Sequence, residues 1–261
     1  MKQLVVEGIP GPGEQFSLDR AQSHYLARVR RVHAGDEVLC TDGNGGRVAA
    51  TVVSTVNPEA VTLRVVSDAR TAPGAPDAGS DGPPVTMYLS LLKGKKFDTV
   101  VRQVTEFGVD RIAPVVTHHC VSRPDPRDLN RKRERWQEIV RGATQQSGRS
   151  RLPEVGEPRS LSDIVPVSPD ILAVAFHESA HETFGGADVS VSDGDAPRAV
   201  WALIGPEGGL APGEIESLDG SGWRIRRMPV PVLRAETAAI AAATLVQSLR
   251  SAYTAHSAKA R

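Results

Sequence analysis

The chain has 261 residues, enough for one large domain or two ordinary ones, and 40% of them are hydrophobic. Aromatics make up only 4%, so Val, Leu, Ile and Ala have to fill the core. The 31 Lys and Arg balance the 31 Asp and Glu; no global field advertises a nucleic-acid partner, and any basic surface must be local. Cys40 and Cys120 lie far apart in no zinc-like spacing, which suggests a reducing, cytoplasmic setting. "MKQLVVEGIPGPGEQF" breaks at Gly8 and Pro10 before a signal-peptide core can form, and no apolar run reaches the roughly 18 residues of a membrane span. A soluble intracellular protein is expected.

The first 70 residues read as short and strand-like. "SLDRAQSHYLARVRRV" suggests a short helix with Ser17 as its N-cap. "DEVLCTDGNGGRVAATVVSTV" places two β-rich runs around "DGNGG", a hairpin signal, and "EAVTLRVV" adds an alternating strand. A small β-barrel over residues 1–70 fits. "SDARTAPGAPDAGSDGPP" (67–84) then offers almost nothing to bury, and residues 71–84 are read as a flexible linker.

From residue 85 to 261 the texture changes to strands alternating with helices. "VTMYLSLL" is a buried-type strand. In "KKFDTVVRQVTEFG", Phe97, Val100, Val101, Val104 and Phe107 recur at helical spacing, with Gly108 where a C-terminal cap belongs. "VDRIAPVVT" is a second strand, and "DLNRKRERWQEIVRGATQQSG" a long polar helix facing Trp136, Ile139 and Val140 inward. "DILAVAF", "AVWALIG" and "WRIRRMPV" are further strands, and "ETAAIAAATLVQSLRSAY" is a closing Ala-rich helix. The alternation argues for an α/β domain with an open, mostly parallel sheet.

"LIGPEGGL" (203–210) ends a strand in Gly205, Pro206, Glu207, Gly208 and Gly209. Ligands of open α/β sheets bind beyond the carboxyl ends of strands, and glycines there let a ligand approach bare backbone. The dinucleotide G-x-G-x-x-G spacing and the P-loop ending are both absent. "PVPVLRAETAAIAAA" (229–243) looks like a second ligand loop: Pro229 and Pro231 stiffen the approach to Leu233 and Arg234, just before a helix whose first turn carries Glu236 and Thr237. A bland reading of Arg234 and Glu236 is a local ion pair at a helix start.

"LIGPEGGL" followed by "VLRAETA" resembles the signature of the SPOUT methyltransferases, and "LLKGKKFDTVVRQVTEFGV" with "RWQEIVRGATQQSGRSRLPEV" resembles blocks of their RsmE family. The sequence departs from that pattern at Ala235 and in "QQSGR", and its linker is longer. The resemblance implies a C-terminal deep trefoil knot on the parallel sheet, an N-terminal PUA-like barrel that binds RNA, and S-adenosylmethionine (SAM) as cofactor. It also implies methylation of N3 of one uridine in 16S ribosomal RNA of the small subunit. On this reading Leu203, Gly205, Pro206, Glu207, Gly208, Leu233, Arg234, Thr237 and Ala238 hold the cofactor. Arg234 is the candidate catalytic residue, stabilising the charge that develops as N3 loses its proton; the bland alternative has it order the loops. A homodimer is expected because SPOUT relatives pair through the knot, and Ala238, Ala239, Ala241, Ala242 and Ala243 would permit close helix approach.

RNA contact then falls to local basic clusters: Arg28, Arg30 and Arg31 in the barrel, and Lys93, Lys95 and Lys96 in the catalytic domain, with "RKRERW" as a further run. "THHC" (His118, His119, Cys120) lacks the partners of a metal site, and none is expected. Two other function classes stay open. One is a non-catalytic RNA-binding protein, or a SPOUT methylase acting on another RNA such as tRNA. The other is a hydrolase around His177, Glu178 and His181, although "FHESAHE" has neither metalloprotease spacing nor a nucleophile elbow.

Overall fold

The computed structural model describes residues 2–57, 59–68, 82–121, 123, 125–164, 167–185, 188 and 196–259. The chain forms two compact units, residues 1–77 with 141–152, and residues 78–140 with 153–261. Most of the linker expected over 71–84 lies outside the described residues.

The first unit is a five-stranded sheet. Its strands are β1 (Lys2–Val5), β2 (Gln15–Ser17), β3 (Glu37–Thr41), β4 (Arg47–Ser54) and β5 (Thr62–Asp68), in the order β1-β3-β4-β5-β2. β1 runs parallel to β3; the other pairs are antiparallel. The expected hairpin joins β3 to β4. Asp42 Oδ1 accepts from Asn44 N–H (2.7 Å) and Gly46 N–H (2.9 Å), and Gly43 takes the left-handed φ of 77° that the turn requires. Leu4, Val38, Cys40, Ala50, Val52, Leu63 and Val65 alternate inward to form the core. Ser17 is not the helix cap: it ends β2, and Asp19 instead caps α1 (Arg20–His24) in a capping box with Gln22. A carboxylate placed one residue before the helix reaches the Gln22 N–H at 2.7 Å.

Residues 141–152 belong to this unit because its strands take up their main chain. Thr41 Oγ1 donates to Ser150 O (2.7 Å), Arg47 Nη2 to Gly148 O (2.6 Å), and Leu152 N–H to Gly43 O (2.8 Å). Gln145 Oε1 accepts from Val5 N–H at 3.1 Å.

The second unit is a seven-stranded parallel sheet. Its strands are β6 (Val85–Ser90), β7 (Arg111–Val116), β8 (Glu154–Val155), β9 (Arg159–Ser160), β10 (Ile171–Phe176), β11 (Ala199–Ile204) and β12 (Arg224–Arg226). The order is β12-β10-β11-β6-β7-β8, with β9 also on β7. Every residue of β6 is buried, as an apolar run covered on both faces requires. Helices α2 (Lys96–Glu106), α3 (Leu129–Ser147, its residues up to 140 in this unit), α4 (Pro212–Gly220) and α5 (Ala235–Lys259) accompany the sheet. α2 buries Phe97, Val100, Val101 and Val104, whereas Phe107 is 37% exposed because it has become the C-cap beyond the packed face. The strand expected from "WRIRRMPV" is cut to three residues, since Arg227 onward turns into the loop that leads to α5.

α5 packs on α2, β11 and β6, and buries Ala239, Ala242, Ala243, Val246 and Leu249. Its small residues therefore serve close approach within the chain. Near its far end, Arg250 Nη1 reaches Asp110 Oδ2 at 2.8 Å, and the same oxygen accepts from Val85 N–H at 2.8 Å. This ties the helix to the start of β6. Among the described residues no helix is long and apolar enough to cross a membrane.

Candidate active site

Parallel registry brings three strand ends together. Phe176 of β10 pairs with Ile204 of β11 and with Arg226 of β12, so the next residues, His177, Gly205 and Arg227, leave the sheet at the same level. The loops they begin enclose a cavity of about 560 Å³, within the range of ligand sites. This is the strand-end crevice where open α/β sheets bind ligands.

The loop after β11 forms the cavity's bare wall. Gly209, at φ 70°, closes a turn with its N–H on Pro206 O at 2.9 Å. A Cβ on Gly208 would lie 3.0 Å from His119 Cβ, so the loop is pressed against the segment after β7. His119 Nδ1 lies 3.3 Å from Gly209 O, and His118 N–H donates to Glu214 Oε1 at 2.8 Å. The "THHC" stretch thus braces the glycine loop, while Cys120 is buried beside Thr117.

Of the residues expected at a cofactor site, Gly205, Pro206, Glu207, Gly208, Leu233, Arg234 and Ala238 line the cavity together. Leu203 does not; its side chain is fully buried in the sheet core, one position before the end of the strand. Thr237 is exposed on α5 and also stands outside the lining. Sequence reasoning had not gathered Lys96, His177, Glu178, Arg227 and Met228 into this cavity. The strand-end rule applied to "DILAVAF" as well as to "WALIG" points to His177 and Glu178.

Arg234 is exposed on the cavity wall, and its guanidinium has no ion-pair or hydrogen-bond partner among the described residues. The local pair with Glu236 is not formed. Glu236 Oε2 lies instead 3.5 Å from Lys96 Nζ, which also reaches Glu207 Oε1 at 3.3 Å. Burial pushes the Glu207 carboxyl up, but its own N–H, the Lys93 N–H and the Lys96 ammonium outweigh that and hold it below the usual glutamate range. His177 Nδ1 accepts from Ser179 N–H at 3.2 Å, which assigns the proton of a neutral ring to Nε2 and makes that atom a donor. The cavity therefore offers main-chain groups, one unpaired guanidinium, an imidazole N–H and apolar walls from Leu233, Met228 and Leu210. Such a set suits a ligand with a hydrogen-bonding ring and a polar tail.

The basic clusters fare differently. Arg28, Arg30 and Arg31 are exposed with no carboxylate partner among the described residues, and Arg31 takes a left-handed φ of 50°. Lys93 and Lys95 are exposed at the start of α2. Along α3, Arg131, Arg133 and Arg135 are paired with Asp128, Glu157 and Asp98.

The RNA methyltransferase domain family matches residues 80–247, and the RNA methyltransferase PUA domain matches residues 18–66. The ribosomal RNA small subunit methyltransferase E of Synechocystis is 31% identical over 235 residues, covering 89% of this chain and 73% of that protein. The chain belongs to the RsmE family of RNA methyltransferases. The RsmE protein of Mycobacterium tuberculosis is 29% identical over 251 residues, which cover 94% of this chain and 91% of the relative. A solved methyltransferase of Legionella pneumophila, in complex with the cofactor SAM, superposes on this RsmE-family chain with a TM-score of 0.81 at 25% identity, covering 95% of this chain and 97% of the other. A small subunit methyltransferase E of Neisseria gonorrhoeae shares the fold, with a TM-score of 0.82 at 22% identity over 95% and 98% of the two chains.

Proposed function

We propose that this chain transfers a methyl group from SAM to N3 of a uridine in 16S ribosomal RNA. The observation that carries the reading is the cavity at the strand ends, where a bare glycine loop and an unpaired arginine meet in a member of an RNA methyltransferase family. The residues fit SAM: about 560 Å³ of space and the main-chain groups of a glycine loop for an adenine edge. Gly205, Pro206, Glu207, Gly208, Leu233, Arg234 and Ala238 would hold it.

When bound, SAM supplies an electrophilic methyl group. The chain's task is to position the nucleophile and to favour loss of the imide proton. Arg234 suits the second part, because its fork can donate two parallel hydrogen bonds to a planar uracil edge, and these strengthen as N3 becomes negative. His177 Nε2–H is a further donor in the same cavity.

RNA would be gripped by Arg28, Arg30 and Arg31, whose charges no carboxylate among the described residues neutralises, and by Lys93 and Lys95. Lys96, at the cavity edge, is instead paired with Glu207 and Glu236. The deep trefoil knot belongs to this reading, as do a cytoplasmic location and a homodimer. Val230 and Val232, 48% and 79% exposed beside the cavity, are the apolar surface a second copy would cover. Labelled methyl transfer from SAM to purified small-subunit rRNA, with nucleoside analysis of the product, tests the proposal. The expected product is 3-methyluridine; methylation of tRNA alone, or binding of RNA with no transfer, overturns it.

A further inference from the structure

A second cavity, of about 280 Å³, lies in the sheet unit and shares no lining residue with the one at the strand ends. Its floor is one sheet face. Tyr88 pairs in register with Ala113 and Leu203, and Trp201 stands two residues before Leu203, so these side chains point the same way. Tyr88 and Trp201 meet edge to face at 5.2 Å, and Trp201 is only partly buried. The site has an aromatic wall with one ring available.

Its polar groups are incompletely used. Tyr88 is 8% exposed, and its hydroxyl forms no hydrogen bond with a described residue. Arg111 Nε is buried without a hydrogen-bond partner among the described residues, although its Nη2 lies 3.4 Å from Glu154. Arg159 is exposed and has no carboxylate partner among the described residues. Burial pushes the Tyr88 hydroxyl up, and the two guanidiniums oppose it, so both bear on the Tyr88 end of the cavity.

The acids of the lining already have partners of their own. Glu157 pairs with Arg133 at 3.3 Å, and Asp163 accepts from Ser160 N–H at 3.2 Å. Each retains lone pairs for one more donor. A ligand matching this arrangement carries an anion with several acceptor oxygens for Arg111, Arg159 and Tyr88. It also carries a flat ring for Trp201 and an amine for Glu157 or Asp163. The volume is near the lower end, ~300 Å³, of small-ligand sites, which favours a small ring.

We propose that this cavity is a nucleotide subsite. It takes one amine-bearing base against Trp201, with the phosphate on Arg111 and Arg159 and a bond from the Tyr88 hydroxyl. The nucleotide can belong to an RNA strand or be free in solution, and the chemistry of recognition is the same. The site stands on its own lining and does not depend on what occupies the strand-end cavity.

Calorimetric titration of the full chain with cytidine 5′-monophosphate and with single-stranded hexacytidylate tests it. Both should bind at one site. Arg159→Ala should weaken each about tenfold and Tyr88→Phe about threefold. Hexacytidylate binding tenfold tighter than the mononucleotide identifies an RNA strand as the source; equal affinities identify a free nucleotide. The proposal is overturned if neither probe binds, or if Arg159→Ala and Tyr88→Phe bind like the wild type. Unchanged thermal melting of Tyr88→Phe and Arg159→Ala guards against reading misfolding as lost binding.

Discussion

Lys96 Nζ lies 3.3 Å from Glu207 Oε1, joining the first turn of α2 to the glycine loop at the strand ends. The same ammonium reaches Glu236 at the start of α5, so one cation holds two walls of the cavity. Its side chain is 40% exposed, and solvent screens the pair, so its worth is about 1 kcal/mol or less. Lys96→Gln should therefore melt within a few degrees of wild type yet bind SAM several-fold more weakly, because the glycine loop is less ordered before binding. Calorimetry at two salt concentrations checks this; wild-type affinity would show that the loop does not rely on the pair.

The Glu207 carboxyl is held below the usual glutamate range. Its contribution to stability is therefore fully present above the ordinary glutamate value and is lost as pH falls through the lowered folded-state value. Loop order and cofactor affinity should hold at neutral pH and decline only at acid pH. In Lys96→Gln the decline should begin at higher pH. Carboxyl-resolved NMR titration of Glu207 measures it, and titration at or above the ordinary value contradicts the expectation.

Gly208 leaves 3.0 Å between a would-be Cβ and His119 Cβ. Gly208→Val must push the loop away from its brace or into the cavity. SAM affinity should fall by about tenfold or more, roughly 1.4 kcal/mol, while circular dichroism stays native. Unchanged affinity in a folded Gly208→Val protein would move the cofactor out of this cavity.

Among the described residues Arg234 has no side-chain partner to lose on substitution. Arg234→Lys should fold and bind SAM almost as wild type, but keeps a point charge in place of a fork. Single-turnover methylation should slow about 100- to 1000-fold, roughly 3 to 4 kcal/mol. If cofactor affinity and melting temperature fall instead, with the rate at saturation preserved, Arg234 orders the loops and does not act in the reaction.

Arg250 is 3% exposed and depends on Asp110. Asp110→Ala strands a buried cation and should destabilise the fold by about 3–5 kcal/mol. Adding Arg250→Met to it should recover much of that loss. Denaturant unfolding of the single and double variants decides; equal stability of all three would mean that the pair carries nothing.

Local rules reached far into this protein. The apolar face of α2, the "DGNGG" hairpin, the all-buried β6 and the "GPEGG" turn depend on residues close in sequence, where period and turn chemistry are written directly. Even there, a cap slid from Ser17 to Asp19, because Ser17 is taken up by the pairing of β2 with β5 and Asp19 is left at the helix start. The motifs also located the cavity's two principal loops. They did not reveal its third, since His177 and Glu178 carry no glycine signature and become site residues through the pairing of β10 with β11.

What followed from three-dimensional packing is everything that joins distant segments. The order β12-β10-β11-β6-β7-β8 comes from parallel pairing between strands of similar composition, which no window of sequence ranks. The alanines of α5 read as a surface for another helix, yet several are buried against their own sheet. Residues 141–152 read as part of the catalytic domain, but Thr41, Gly43 and Arg47 of the small unit take their main-chain hydrogen bonds. Lys96 read as one basic residue in "KGKK", and its charge is spent on Glu207 and Glu236, more than a hundred residues away in the chain. A charge chooses its partner by distance in space, and that distance exists only once the strands have paired.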